Sequence, residues 1–138
     1  MTRASKMPGV PLEDDEQIAF VQWCKLHNII VHHSGNEIGG STPAMKARAL
    51  KMKRMGTSAG FPDLVLFIPI YGVTNEVDLY QPVFIEMKRK KGSTVSPAQK
   101  QWLKIIEMAD IPCAVCKGAE AAVEFVQQVI KEIEGEYE

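Results

Sequence analysis

Two acidic residues sit in the most apolar stretches of this 138-residue chain: Asp63, which opens "DLVLFI" directly after Pro62, and Glu86, inside "VFIEMK". Both stretches read as β-strands, being rich in branched and aromatic residues. Neighbouring strands lie about 5 Å apart, so the two carboxylates can converge if the register allows. A pair of hard oxygen donors suits Mg2+ or Mn2+. Lys88 follows Glu86 by two residues, and strand side chains alternate, so the two share a face. An ammonium there can hold or activate a water, or offset charge on a phosphorane-like transition state. Glu16 offers a third carboxylate. It lies four residues before Phe20 and seven before Trp23, on the inward face of a helix, whereas its acidic neighbours do not.

Each piece also has a plain structural reading. Glu86 and Lys88 can be an exposed ion pair of little energetic weight. Asp63 can be a turn residue at a strand entry. His32 and His33 are adjacent, so they face opposite sides of a strand and do not ligate one metal together. Cys113 and Cys116 form a C-x-x-C within "IPCAVCKG", which reads as a buried strand. With Cys24 as the third cysteine, structural thiols in a reducing compartment fit better than a redox or zinc pair.

The elements that must position these residues follow from periodicity and capping. Residues 1–12, with three Pro or Gly, read as a flexible arm. A helix runs from about Glu13 to His27, with acids in its first turn as the helix dipole favours. "IIVHH" is a strand and "SGNEIGGSTP" a loop. "AMKARALKMKRMG" is a helix ended by Gly56 that carries five basic residues and no acid. "TSAGFP" is a turn into the Asp63 strand. Residues 69–82 form an irregular loop or hairpin connection before the Glu86 strand. Ser96, Pro97 and Gln99 make a capping box that starts a helix reaching about Ala109. "PCAVCK" is a fourth strand, and 119–134 a last helix with Val123, Val126, Ile130 and Ile133 inward. The expectation is one α/β domain over 1–138, a central mixed sheet with helices on both faces.

Net charge is −1, yet residues 43–104 carry +7, residues 1–42 carry −2 and residues 105–138 carry −6. The basic middle contains every candidate residue except Glu16, and such a block suits a polyanion. No apolar run approaches the ~20 residues of a membrane helix, and the N-terminus lacks a signal core. A cytoplasmic location without membrane contact is expected.

"GTSAGFPDLVLF" followed by "VFIEMKRKKGSTVSPAQKQW" resembles the VRR-NUC group of the PD-(D/E)xK nucleases. The likeness covers Glu16 to about Val126. It includes G-x-P-D, E-x-K, the later S-P-x-Q-x-x-W, and an upstream "SGNE" similar to the family's P-N-E. It implies a restriction-endonuclease-like core. It also implies that Asp63, Glu86 and the Met87 backbone carbonyl hold Mg2+ or Mn2+, and that Lys88 acts on the attacking water. Glu16 matches the acid of the first helix, and Gln99 a glutamine near the site. The length is similar to stand-alone phage and bacterial members, which implies a homodimer cutting branched DNA such as four-way junctions. The long connection at 69–82 is a departure. On this reading Lys46, Arg48, Lys51, Lys53, Arg54, Arg89, Lys90 and Lys91 contact DNA phosphates. With no base-reading motif, DNA shape would be recognised rather than sequence. A silent or restriction-like DNA-binding protein of the same fold is the alternative.

Overall fold

The computed structural model describes residues 9–34 and 40–136. The first eight residues of the expected arm and most of "SGNE" lie outside these. Four apolar runs form strands: β1 (Ile30–His33), β2 (Leu64–Tyr71), β3 (Val77–Lys88) and β4 (Cys113–Lys117). They make one sheet in the order β1-β2-β3-β4, antiparallel at the first two steps and parallel at the third. Four helices accompany them: α1 (Glu13–Leu26), α2 (Pro43–Arg54), α3 (Pro97–Met108) and α4 (Ala119–Glu136). The parallel step requires a crossover, which α3 supplies.

The core lies on one sheet face. Leu64 pairs with Ile85 and Leu66 with Val83, and cross-strand partners share a face. These four, with Ile68, Met87 and Cys116, bury against Phe20 and Cys24 of α1 and Ala122, Val126 and Val129 of α4. The buried stripe of α4 is thus turned slightly from the expected one, and Val123, Ile130 and Ile133 border the core. The other face carries α3. Phe61 meets Phe84 of β3 and Trp102 of α3 edge-on, with ring centroids 5.5 and 5.1 Å away. The mixed sheet with helices on both faces is therefore as expected.

Of the two readings of residues 69–82, the hairpin connection holds and the irregular loop does not. β2 and β3 continue as one long hairpin, pairing Pro69 with Tyr80 and Phe67 with Pro82. Only Gly72–Glu76 turns, closed by the Gly72 N–H donating to the Glu76 carbonyl at 2.8 Å. Proline is tolerated here because, among the described residues, the outer edges are open. β1 covers β2 only from Leu64 to Phe67, and β4 covers β3 only from Phe84 to Lys88. A missing N–H costs nothing on an unpaired edge.

The cysteines behave as structural thiols. All three are free, and burial pushes Cys24 and Cys116 up to about 12. Cys113 and Cys116, three apart on a strand, face opposite ways. Among the described residues, no helix is long and apolar enough to cross a membrane.

Candidate active site

Register brings the two carboxylates together. Leu64 opposes Ile85, so Asp63 and Glu86 are the next step of the β2–β3 pairing. The Asp63 N–H donates to Glu86 Oε2 at 3.0 Å, and the Met87 N–H donates to Asp63 Oδ2 at 3.2 Å. Each acid therefore holds the other's strand. Pro62 is buried, and Ser34, just after β1, pins this strand entry. Its Oγ donates to the Pro62 carbonyl at 2.8 Å, and its N–H to the Asp63 carbonyl at 2.8 Å.

α3 reaches the pair through Gln99. The capping box is complete: Ser96 Oγ accepts from the Gln99 N–H at 3.1 Å, and Gln99 Oε1 accepts from the Ser96 N–H at 2.9 Å. That leaves the amide nitrogen aimed at Glu86, and Nε2 donates to Glu86 Oε1 at 2.6 Å. Gly60 sets the distance between the "TSAGFP" turn and α3. With φ of +82°, a Cβ there would stand 2.5 Å from the Ala98 carbonyl carbon and 2.6 Å from the Gln99 nitrogen. Lys88 Nζ lies 3.7 Å from Glu86 Oε1, and its side chain is 13% exposed. The plain reading of an exposed surface ion pair is thus replaced by a sheltered one.

Glu86 itself is 3% exposed. Burial first, then the Asp63 charge, push its carboxyl up to about 8, against the pull of the Asp63 N–H and of Lys88. Two carboxylates this close favour holding one proton between them. A divalent cation would offset the same charge, so the donor chemistry fits a hard metal. Among the described residues, no group of three or more His, Cys, Asp or Glu is gathered for one ion. Two carboxylates are the set Mg2+ commonly uses when water and substrate phosphate complete its shell.

The family model described as VRR-NUC domain matches residues 11–120. The chain belongs to the VRR-NUC family. This is a PD-(D/E)xK nuclease family. A solved structure titled "VRR_NUC domain protein" is similar over 88% of this chain and 89% of its own, at 28% identity and a TM-score of 0.64. No curated protein matches the chain.

The other expected site residues of this VRR-NUC domain divide into two groups. Glu16 is buried, but its Oε2 accepts the Ala119 N–H at 2.6 Å, at the start of α4. The structure does not gather it with Asp63 and Glu86. Arg89, expected to contact phosphate, is 8% exposed. Its Nη2 donates to the Val10 carbonyl at 2.7 Å and its Nε to the Pro11 carbonyl at 3.0 Å. It is an anchor for the chain entering α1, not a free cation. Lys46, Arg48, Lys51, Lys53, Arg54, Lys90 and Lys91 are all exposed. α2 buries none of its residues, so its charges are presented on all sides.

Sequence reasoning missed Ser34 and Glu13. Glu13 is half-buried, and it lines a polar cleft of about 370 Å3 with Asp14, Lys88, Ser93 and Thr94. Helical spacing contained that signal, since Glu13 stands three residues before Glu16 and shares its side of α1. A more apolar cleft of about 350 Å3, lined by Ile68, Ile70 and Tyr71, lies at the hairpin end of β2. It is remote along the strand from the carboxylates and carries none of this chemistry.

Proposed function

We propose that this VRR-NUC domain is a metal-dependent, structure-specific endonuclease hydrolysing phosphodiester bonds in branched DNA, four-way junctions included. The observation carrying this reading is the Asp63–Glu86 pair with Lys88 beside it and Gln99 locked onto it. Asp63, Glu86 and the Met87 carbonyl would hold Mg2+ or Mn2+. In an antiparallel ladder a residue's N–H and C=O point to the same side. The Met87 carbonyl therefore faces the side on which its N–H meets Asp63. The ion, when bound, supplies Lewis-acid polarisation of the phosphate and a lowered pKa for water.

The chain's own residues do the rest. Gln99 fixes the Glu86 carboxylate through Oε1, leaving its orientation independent of substrate. Lys88 orients the water whose oxygen attacks phosphorus. That water gives up a proton to bulk solvent as its oxygen bonds to phosphorus, the P–O bond to the departing strand breaks, and the departing oxygen takes up a proton from solvent. Lys46, Arg48, Lys51, Lys53, Arg54, Lys90 and Lys91 neutralise phosphates along the flanking DNA, which sets register without reading bases. A symmetric junction needs two cuts, so a two-fold homodimer serves it.

The alternatives are a silent binding protein of the same fold and a restriction-like enzyme. The test incubates labelled duplex, flap and four-way DNA with Mg2+ or Mn2+. Cutting confined to branched substrates is expected. Tight binding with no cutting would favour the silent protein, and discrete bands from long plain duplex the restriction-like one. Asp63→Ala and Lys88→Ala should each abolish cutting while junction binding persists. Either variant cutting at the wild-type rate would refute the site.

A further inference from the structure

Glu16 lies on the inward side of α1 and is buried, yet the partner seen for its carboxylate is a backbone N–H rather than another acid. That N–H belongs to Ala119, the first residue of α4. The preceding N–H, of Gly118, donates to the Lys88 carbonyl at 2.9 Å. Two consecutive amides at the β4–α4 corner thus grip the end of β3 with one hand and α1 with the other. The corner has no slack. Gly118 has φ of +95°, and a Cβ on it would stand 2.5 Å from Glu16 Oε2 and 2.8 Å from Lys90 Cγ. Arg89, the residue after β3, closes the circuit by holding the Val10 and Pro11 carbonyls just before α1.

We infer that Glu16 is a positioning residue for Lys88, acting through the Ala119 and Gly118 amides, and is not a metal ligand. The inference rests on the nuclease reading for the role of Lys88. A carboxylate at the first N–H groups of a helix is also where the α4 dipole favours negative charge. Losing it frees the corner that fixes the main chain at Lys88. The ammonium then loses its alignment with Glu86 while Asp63 and Glu86 stay in place. Such an effect lowers turnover without weakening either DNA or metal binding.

The test compares Glu16→Gln, Glu16→Ala and Gly118→Ala in the full chain. It reads Mn2+ affinity by calorimetry, melting, and kcat and KM on a four-way substrate. The Gln amide oxygen can accept from Ala119, so Glu16→Gln should keep wild-type melting, kcat and Mn2+ affinity. Glu16→Ala and Gly118→Ala should each lower kcat per folded molecule, by up to roughly a hundredfold. KM and Mn2+ affinity should be unchanged in both. Mn2+ affinity falling about tenfold or more in Glu16→Gln, as when a metal shell is disturbed, would make Glu16 a ligand and overturn the inference. Wild-type kcat per folded molecule in Glu16→Ala or Gly118→Ala would overturn it as well, leaving a cap alone. Should the two Ala-bearing variants fail to fold, Glu16→Asp, whose shorter side chain displaces the Ala119 contact, replaces them: lowered kcat at unchanged Mn2+ affinity supports the inference, and wild-type kcat overturns it. If the wild-type protein cuts nothing, the nuclease reading fails, while the Mn2+ titrations still report whether Glu16 ligates.

Discussion

Gln99 is bonded at both ends of its amide, to the Ser96 N–H through oxygen and to Glu86 through nitrogen. A residue readable as a helix cap thus also orients a carboxylate, and the cap is what fixes which end of the amide faces Glu86. Glu86 is the residue with the sharpest pH signature. Its carboxyl rises from an ordinary 4.5 to about 8, chiefly through burial and next through Asp63. The folded protein therefore holds a proton that the unfolded chain has lost. Stability from Glu86 is fully present below 4.5 and is lost as pH rises through about 8. Without metal, chemical melts should show the wild-type protein weakening over that span relative to Glu86→Gln. Mn2+ must displace the same proton, so its apparent affinity should climb with pH and level off above about 8. Calorimetry in two buffers of different ionisation enthalpy reads the released proton directly. A pH-independent affinity would show that Glu86 is already ionised.

At the scale of elements, two basic segments that look alike in sequence behave differently. α2 buries none of its residues, whereas Arg89 in the run 89–91 is buried. Replacing Lys51, Lys53 and Arg54 together should flatten the salt dependence of DNA binding, by about 0.9 in slope per lost phosphate contact on B-form DNA. Arg89→Met should leave that slope unchanged and lower the melting temperature instead. A slope change in Arg89→Met would return it to the interface. The same contrast shows what the sequence could reveal. Strand alternation puts Arg89 with Met87 on the core side, opposite Glu86 and Lys88, so parity already excluded it from the site's face. The adjacent lysines masked that signal. The Asp63–Glu86 convergence was legible because both acids interrupt apolar runs. The hairpin was legible only as one of two readings, because Pro69 and Pro82 read as breakers until the lengths of β1 and β4 show which edges are open. Glu16 was legible as inward-facing, but its partner was not. Ala119 is 103 residues away, and nothing local marks the pairing.

Over the whole molecule, charge and chemistry are segregated. The basic block of residues 43–104 contains both acids of the pair, and five of the eight acids of residues 105–138 lie on α4. A single 15.3 kDa chain carries one such pair among its described residues, so on the proposed reading it would make one cut. Dimer dependence should therefore appear in the products. On a plasmid-borne cruciform, concentrated protein should yield linear DNA from paired cuts, and dilution should shift the product to nicked circles. Sedimentation should show two copies under the first condition and one under the second. Linear product persisting where sedimentation shows only single chains would exclude the dimer as the source of paired cuts.

The bare outer margins of the β2–β3 hairpin bear on the protein's colloidal behaviour. An uncovered strand margin is a template on which other strands can grow, and apolar margins recruit them best. Tyr71, Val77, Leu79 and Tyr80 make this one apolar, each at least 40% exposed. Pro69 and Pro82 interrupt the donors on both sides of it. Their place in the chain is that of gatekeepers against fibrous self-assembly, at a cost of two backbone donors that the native sheet never uses.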